Sequence, residues 1–168
     1  SGFEGGNAEW ESYPGYNFDA VTTGDGMYNS DETFTAYDGD KSFKMWGLYW
    51  DGASDNSIFY SWEGDEIPPV GTTFNLSAYF MSHNADFIGQ GNSHGMLVAK
   101  YFGDGPNDDG SNWWEELLVQ DESSHFNAST ATADQWDNYT LTSSVPEGTY
   151  HMELGFVLHQ PSSGDHGS

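Results

Sequence analysis

The chain has no arginine and no cysteine, and its only lysines are Lys41, Lys44 and Lys100. Without cysteine there is neither a disulfide framework nor a thiol nucleophile. Against 27 acidic residues, three cations leave a formal charge of −24. Phosphate recognition needs clustered lysine and arginine, so nucleic acid is excluded as a partner, and an anionic membrane surface is disfavoured for the same reason. The missing arginine also leaves a uronate or phosphate substrate without a bidentate anchor. No apolar run approaches the length of a membrane-spanning helix, so no membrane insertion is expected. Sustained three–four spacing of apolar residues is absent too, which removes the amphipathic helix as the main building element.

Aromatic residues, by contrast, are abundant: 7 Trp, 10 Tyr and 11 Phe. An acidic chain with few rings would stay disordered. Here each buried ring removes a large apolar area from water, so a folded, strongly anionic domain is expected. The 168 residues suit one domain, 1–168, with one core. Glycine, Asp, Asn and Ser interrupt the chain at roughly eight- to twelve-residue intervals, the pattern of an all-β fold. The clearest strand is Thr73 to Ser82, where Phe74, Leu76, Ala78 and Phe80 alternate with Asn75, Ser77, Tyr79 and Met81. In Tyr150 to Leu158, Met152, Leu154, Phe156 and Leu158 share one face and His151, Glu153 and His159 the other. Further strands are expected at 138–142, 42–49, 57–62 and 96–102, with weaker signals at 18–22, 32–36 and 116–120. Such short strands in one chain predict a two-sheet antiparallel β-sandwich.

Four segments, in order along the chain, resemble a known family. They are Ser1-Gly2-Phe3-Glu4-Gly5-Gly6 with Trp10; Tyr37 to Met45; Val70 to Tyr79; and Trp136 to Thr142 followed by Val145-Pro146-Glu147-Gly148. Together they resemble the jelly-roll carbohydrate-binding modules of families 4, 16 and 22, which bind cellulose and xylan. The resemblance implies a jelly-roll topology and a structural Ca²⁺ held by Glu4 and by oxygens of Asp40 and Lys41. It also implies that the first and last strands of such a module are missing from this stretch. An edge left open in that way could be filled by a neighbouring copy of the same chain.

A second oxygen-rich segment runs from Gly103 to Glu116. Read as an EF-type loop from Gly105, it places Asn107, Asp109, Gly110 and Glu116 at ligand positions, but glycine stands at the first. A solvated acidic turn is the competing reading. Asp109 and Glu116 are therefore candidate calcium ligands alongside Glu4, Asp40 and Lys41. The six histidines show no zinc-ligand spacing and read as surface or strand residues.

Sugar rings are bound by aromatic faces flanked by hydrogen-bonding side chains. Trp10 and Trp136 fall in fold motifs and read as core. Trp46, Trp50, Trp113 and Trp114 are candidate platforms, with Tyr79 and Glu153 on the outward parity of their strands. Trp50-Asp51-Gly52 resembles a sugar-stacking Trp-x-Gly of the xylan-binding modules and leads the group. No nucleophile elbow, phosphate-cradling loop or isolated carboxylate pair is present, so no catalysis is expected. The function expected is non-catalytic binding of a polysaccharide or oligosaccharide by a Ca²⁺-stabilised, secreted module at the cell surface or beyond it. The alternative is a structural subunit of an extracellular filament or surface assembly, built by strand exchange and Ca²⁺ binding.

Overall fold

The computed structural model describes residues 10–13, 18–27, 31–47, 53–106, 112–162 and 165. Among them nine strands form: β1 (Glu11–Tyr13), β2 (Phe18–Thr22), β3 (Lys41–Met45), β4 (Ser54–Glu63), β5 (Thr73–Phe80), β6 (His94–Phe102), β7 (Leu117–Glu122), β8 (Asp137–Ser144) and β9 (His151–Gln160). The helical pieces between them are single 3₁₀ turns. One layer is a five-stranded sheet in the order β1-β4-β9-β6-β7, antiparallel throughout. The other consists of two hairpin-like ribbons, β2–β3 and β5–β8, that do not pair with each other.

The period-two pattern explains which way each strand faces. In β5, Phe74, Leu76, Ala78 and Phe80 turn inward while Thr73, Asn75, Ser77 and Tyr79 are exposed. On β8, Tyr139 and Leu141 join them in the core. From the five-stranded sheet come Leu97, Ala99 and Tyr101 of β6 and Met152, Leu154 and Leu158 of β9. The central strand, β9, and its neighbour β6 are buried along nearly their whole length. The other parity of β4, β6 and β9 carries a separate buried apolar cluster, Phe59, Met96, Val98 and Val157.

One polar chain crosses the interior. Ser143 Oγ donates to Asp121 Oδ2 at 2.6 Å, so the Tyr101 hydroxyl must donate to Ser143, 2.7 Å away. Burial raises the Tyr101 pKa, which keeps that donor proton in place.

The sequence signal at 32–36 does not produce a strand. Only Thr33 forms an isolated bridge, to Gly26, and the segment belongs to the β2–β3 connection. Its apolar residues are Phe34 and Ala36, and Phe34 turns to the cavity described below rather than to a sheet partner.

Gly155 lies at the centre of β9, opposite Phe59 on one side and Val98 on the other. A Cβ there would run into the β4 backbone at Ile58 and Phe59. Gly155→Ala is expected to cost about 1–3 kcal/mol through forced backbone movement, measured as a lower urea midpoint.

After β9 the chain is tied back by Asp165. Its Oδ1 accepts the backbone N–H and the side-chain amide of Asn92 at 2.8 and 2.9 Å, and Oδ2 accepts Ser162 Oγ at 2.9 Å. The Asn92 amide first, then the Ser162 hydroxyl, pull the carboxyl below its ordinary 3.8. A pKa lower in the folded than in the unfolded state means stabilisation that is complete above about pH 4 and fades as the pH falls through the folded value. The melting-temperature gap between wild type and Asp165→Asn is therefore expected to be full at neutral pH and to shrink below pH 4.

Candidate functional site

The outward parity of the five-stranded sheet is ordered in cross-strand rows. At one end Glu63, His151 and Phe102 stand side by side, followed by Ser61, Glu153, Lys100 and Gln120. Next come Phe59, Gly155, Val98 and Glu122, and the far end holds Asp55, His159 and His94. Lys100 Nζ sits 4.8 Å above the Phe59 ring. His94 stacks on His125 at 4.2 Å and lies 4.8 Å from His159. Burial, then the two neighbouring imidazoles, lowers the His94 pKa.

Two tryptophans rise over the first row. A 3₁₀ turn, Trp113–Glu115, begins after Asn112 in a left-handed conformation and leads into β7. The Trp113 ring stacks on His151 at 3.6 Å and meets the Phe102 edge at 5.0 Å. His151 is buried, with Nδ1 3.1 Å from Glu63 Oε1 and Nε2 3.5 Å from Glu153 Oε1. The supporting imidazole is thus fixed at Nδ1 by Glu63, while its Nε2 faces Glu153 without a hydrogen bond. Trp114 stands perpendicular to Trp113, ring centres 5.8 Å apart, and is 58% exposed. The paired indoles therefore divide their work: Trp113 packs and Trp114 faces solvent. Glu153 belongs to the same constellation through His151.

Glu116 closes the turn below. Its carbonyl accepts Gly103 N–H at 2.9 Å, and its Oε2 accepts Gly105 N–H at 3.0 Å. Its carboxylate fills the place a Cβ would take at Gly103. The carboxylate is aimed at the first position of the oxygen-rich loop. Asp109 lies outside the described residues, as do Glu4 and Trp50.

The remaining sequence candidates lie elsewhere. Tyr79 is on the outer face of the β5–β8 ribbon, in the opposite layer, stacked on Tyr37 at 3.6 Å. Trp46 follows β3, its carbonyl held by Asn56 Nδ2 at 3.1 Å, with Lys44 Nζ 5.8 Å from its ring. Asn56 pairs with Leu158 near the far end of β9, while Trp113 covers the first residue of that strand. A ten-residue strand spans roughly 30 Å, so Trp46 and Trp113 cannot share one small ligand. Asp40 is exposed and its carbonyl already accepts Thr23 N–H at 2.7 Å. Lys41 opens β3 and lines a cavity.

That cavity, about 520 Å³, occupies the seam between the two ribbons. Phe34, Phe43, Phe80, Phe126, Trp136 and Phe156 give it an aromatic wall, and Tyr37 and Tyr79 contribute to its lining. His83, just after β5, also lines it. His83 Nδ1 is 3.3 Å from Asp134 Oδ1 and 3.9 Å from Glu32 Oε2. These three residues form a group able to hold a metal ion, with ligand atoms all within 4.8 Å of one another. Sequence reasoning could not find the group, because its members are widely separated and come from three different connections. Nor could it find His151 and Glu63, whose role depends on strand register.

No protein-family model matches the chain, and no curated protein matches it. Among solved structures it is similar to "Family 16 Carbohydrate Binding Module-2", with 18% identity and a TM-score of 0.56; the match covers 99% of this chain and 89% of that one. It also matches the enzymatically active domain of tailspike protein 4 of bacteriophage CBA120, at 12% identity and a TM-score of 0.42, over 92% of this chain and 19% of that one. The first likeness is one of fold: the chain has the jelly-roll sandwich of a carbohydrate-binding module.

Proposed function

We propose that this protein is a non-catalytic carbohydrate-binding module that works outside the cell and takes a neutral polysaccharide or oligosaccharide at the β7 edge of its five-stranded sheet, where Trp114 and Gln120 are exposed. The observation that carries this reading is the exposed Trp114 indole, braced by Trp113 on a buried His151 whose Nδ1 is bonded to Glu63. A rigid, preorganised ring costs little conformational entropy when a pyranose stacks on it. The second row supplies what a sugar's hydroxyls require: Gln120 as donor and acceptor, Glu153 as acceptor and Lys100 as donor. Trp50, from its place in the sequence, is a further platform residue in this reading. The fold shared with a family 16 carbohydrate-binding module agrees with it, and the absence of arginine favours uncharged glycans over uronates.

Trp114→Ala is expected to weaken binding to the preferred polysaccharide at least tenfold, with the far-UV spectrum and melting temperature unchanged. Affinity electrophoresis against soluble β-glucan, xylan and mannan measures this. Failure of the wild type to bind any neutral glycan, or full binding by Trp114→Ala, would refute the assignment.

The same reading includes a structural Ca²⁺. Two features support it: a charge of −24, and the Glu116 carboxylate aimed at Gly105 across an oxygen-rich loop. Hard, oxygen-rich surroundings suit this ion. Millimolar Ca²⁺ is expected to raise the melting temperature beyond the rise given by NaCl at equal ionic strength. Glu116→Gln is expected to lose that calcium-specific increment.

A further inference from the structure

We infer that Glu32, His83 and Asp134 form a site for a divalent ion of borderline character, Zn²⁺ foremost, that ties the β2–β3 connection to the β5–β8 ribbon at the rim of the interior cavity. The inference is independent of glycan binding. Each ligand comes from a different stretch: Glu32 from the β2–β3 connection, His83 from the end of β5, and Asp134 from the loop leading into β8. Zinc bonded at about 2.0–2.2 Å to nitrogen and carboxylate oxygen holds tetrahedral ligands about 3.4 Å apart. The observed separations from His83 Nδ1, 3.3 and 3.9 Å, bracket that spacing.

The chemistry of the donors selects the ion. An imidazole beside two carboxylates suits zinc and its neighbours, whereas calcium prefers oxygen alone. For Nδ1 to coordinate, the ring's proton must sit on Nε2. That atom is buried and has no protein hydrogen-bond partner. His83 borders the cavity, so water there can accept the hydrogen bond from Nε2–H. Three protein ligands leave at least one position open, for water or for an oxygen of a bound ligand. The charge balance also fits: two carboxylates of a chain carrying −24 meet a double positive charge.

The location gives the ion work to do. The two ribbons of the second layer share no strand ladder. Contacts that join them are side-chain contacts such as Tyr37 on Tyr79 and Thr35 Oγ1 on Met81 Sδ, 3.9 Å apart. An ion held from both sides converts that seam into a covalent-like staple.

Isothermal titration of the whole chain with Zn²⁺ and with Ca²⁺, after chelator treatment, tests the inference. The expected result is one Zn²⁺ per chain, not displaced by millimolar Ca²⁺. His83→Ala is expected to weaken it at least a hundredfold and Glu32→Gln at least tenfold. His94→Ala removes the competing imidazole row near His125 and His159, and is expected to leave the affinity unchanged. Co²⁺ in place of zinc should give the intense visible bands of a low-coordinate nitrogen and oxygen site in wild type and in His94→Ala. Metal-free circular dichroism of each variant separates misfolding from ligand loss, and Glu32→Gln carries the test if His83→Ala does not fold. Absence of Zn²⁺ binding by the wild type, wild-type affinity in both Glu32→Gln and His83→Ala, or loss of binding in His94→Ala alone would overturn it.

Discussion

The parity of β9 is the constraint on which the rest of the structure depends. Its even residues, Met152, Leu154 and Leu158, face the ribbons and the shared core. Its odd residues, His151, Glu153 and His159, stand in line on the outer face beside partners from β4 and β6. A slip of one residue would exchange the two sets and put two histidines and a glutamate into the core. Gly155 adds a second restriction, since the β4 backbone passes too close for any side chain at that place. The row that supports Trp113 therefore exists because the row that buries Met152 and Leu154 cannot move.

Charge shapes the molecule differently on its two sides. Most carboxylates occupy loops and outward parity, Asp121 on the inward parity of β7 being an exception, and several are engaged by local donors. Asp165 accepts from Asn92 and Ser162, Glu116 from Gly105, and Asp121 from Ser143. Each engagement turns a repelling group into a fastening. The three lysines are placed over rings or beside the cavity: Lys100 above Phe59, Lys44 near Phe34 and Trp46, and Lys41 in the cavity lining. Burial lowers the Lys44 pKa, with Asp86 opposing the shift.

The sandwich was legible because strand alternation is a local property. β5 could be read from Phe74, Leu76, Ala78 and Phe80 alone, and the inward and outward residues of β9 from one decapeptide. The segment at 32–36 misled for the same reason: alternation over so few residues does not say whether a partner strand exists. β1 escaped notice because three residues, Glu11 to Tyr13, carry no pattern; their place is set by β4. At the site, Trp113 and Trp114 stand out in the sequence as tryptophans outside the fold motifs and Glu153 as an outward residue of its strand, and the structure groups them. Tyr79 and Trp46 had the same local credentials but fall on the opposite layer and at the opposite end of β9. Nothing local could join Glu32, His83 and Asp134, whose meeting is a product of the loops' packing.

The division of the second layer into two unjoined ribbons makes the domain mechanically lopsided. One wall is a continuous hydrogen-bonded plate, and the other is two ribbons with no strand ladder across their seam. A guest on the plate meets a surface that does not have to rearrange. A guest in the seam meets walls that belong to separate ribbons, so its fit depends on how firmly side chains clasp those two halves.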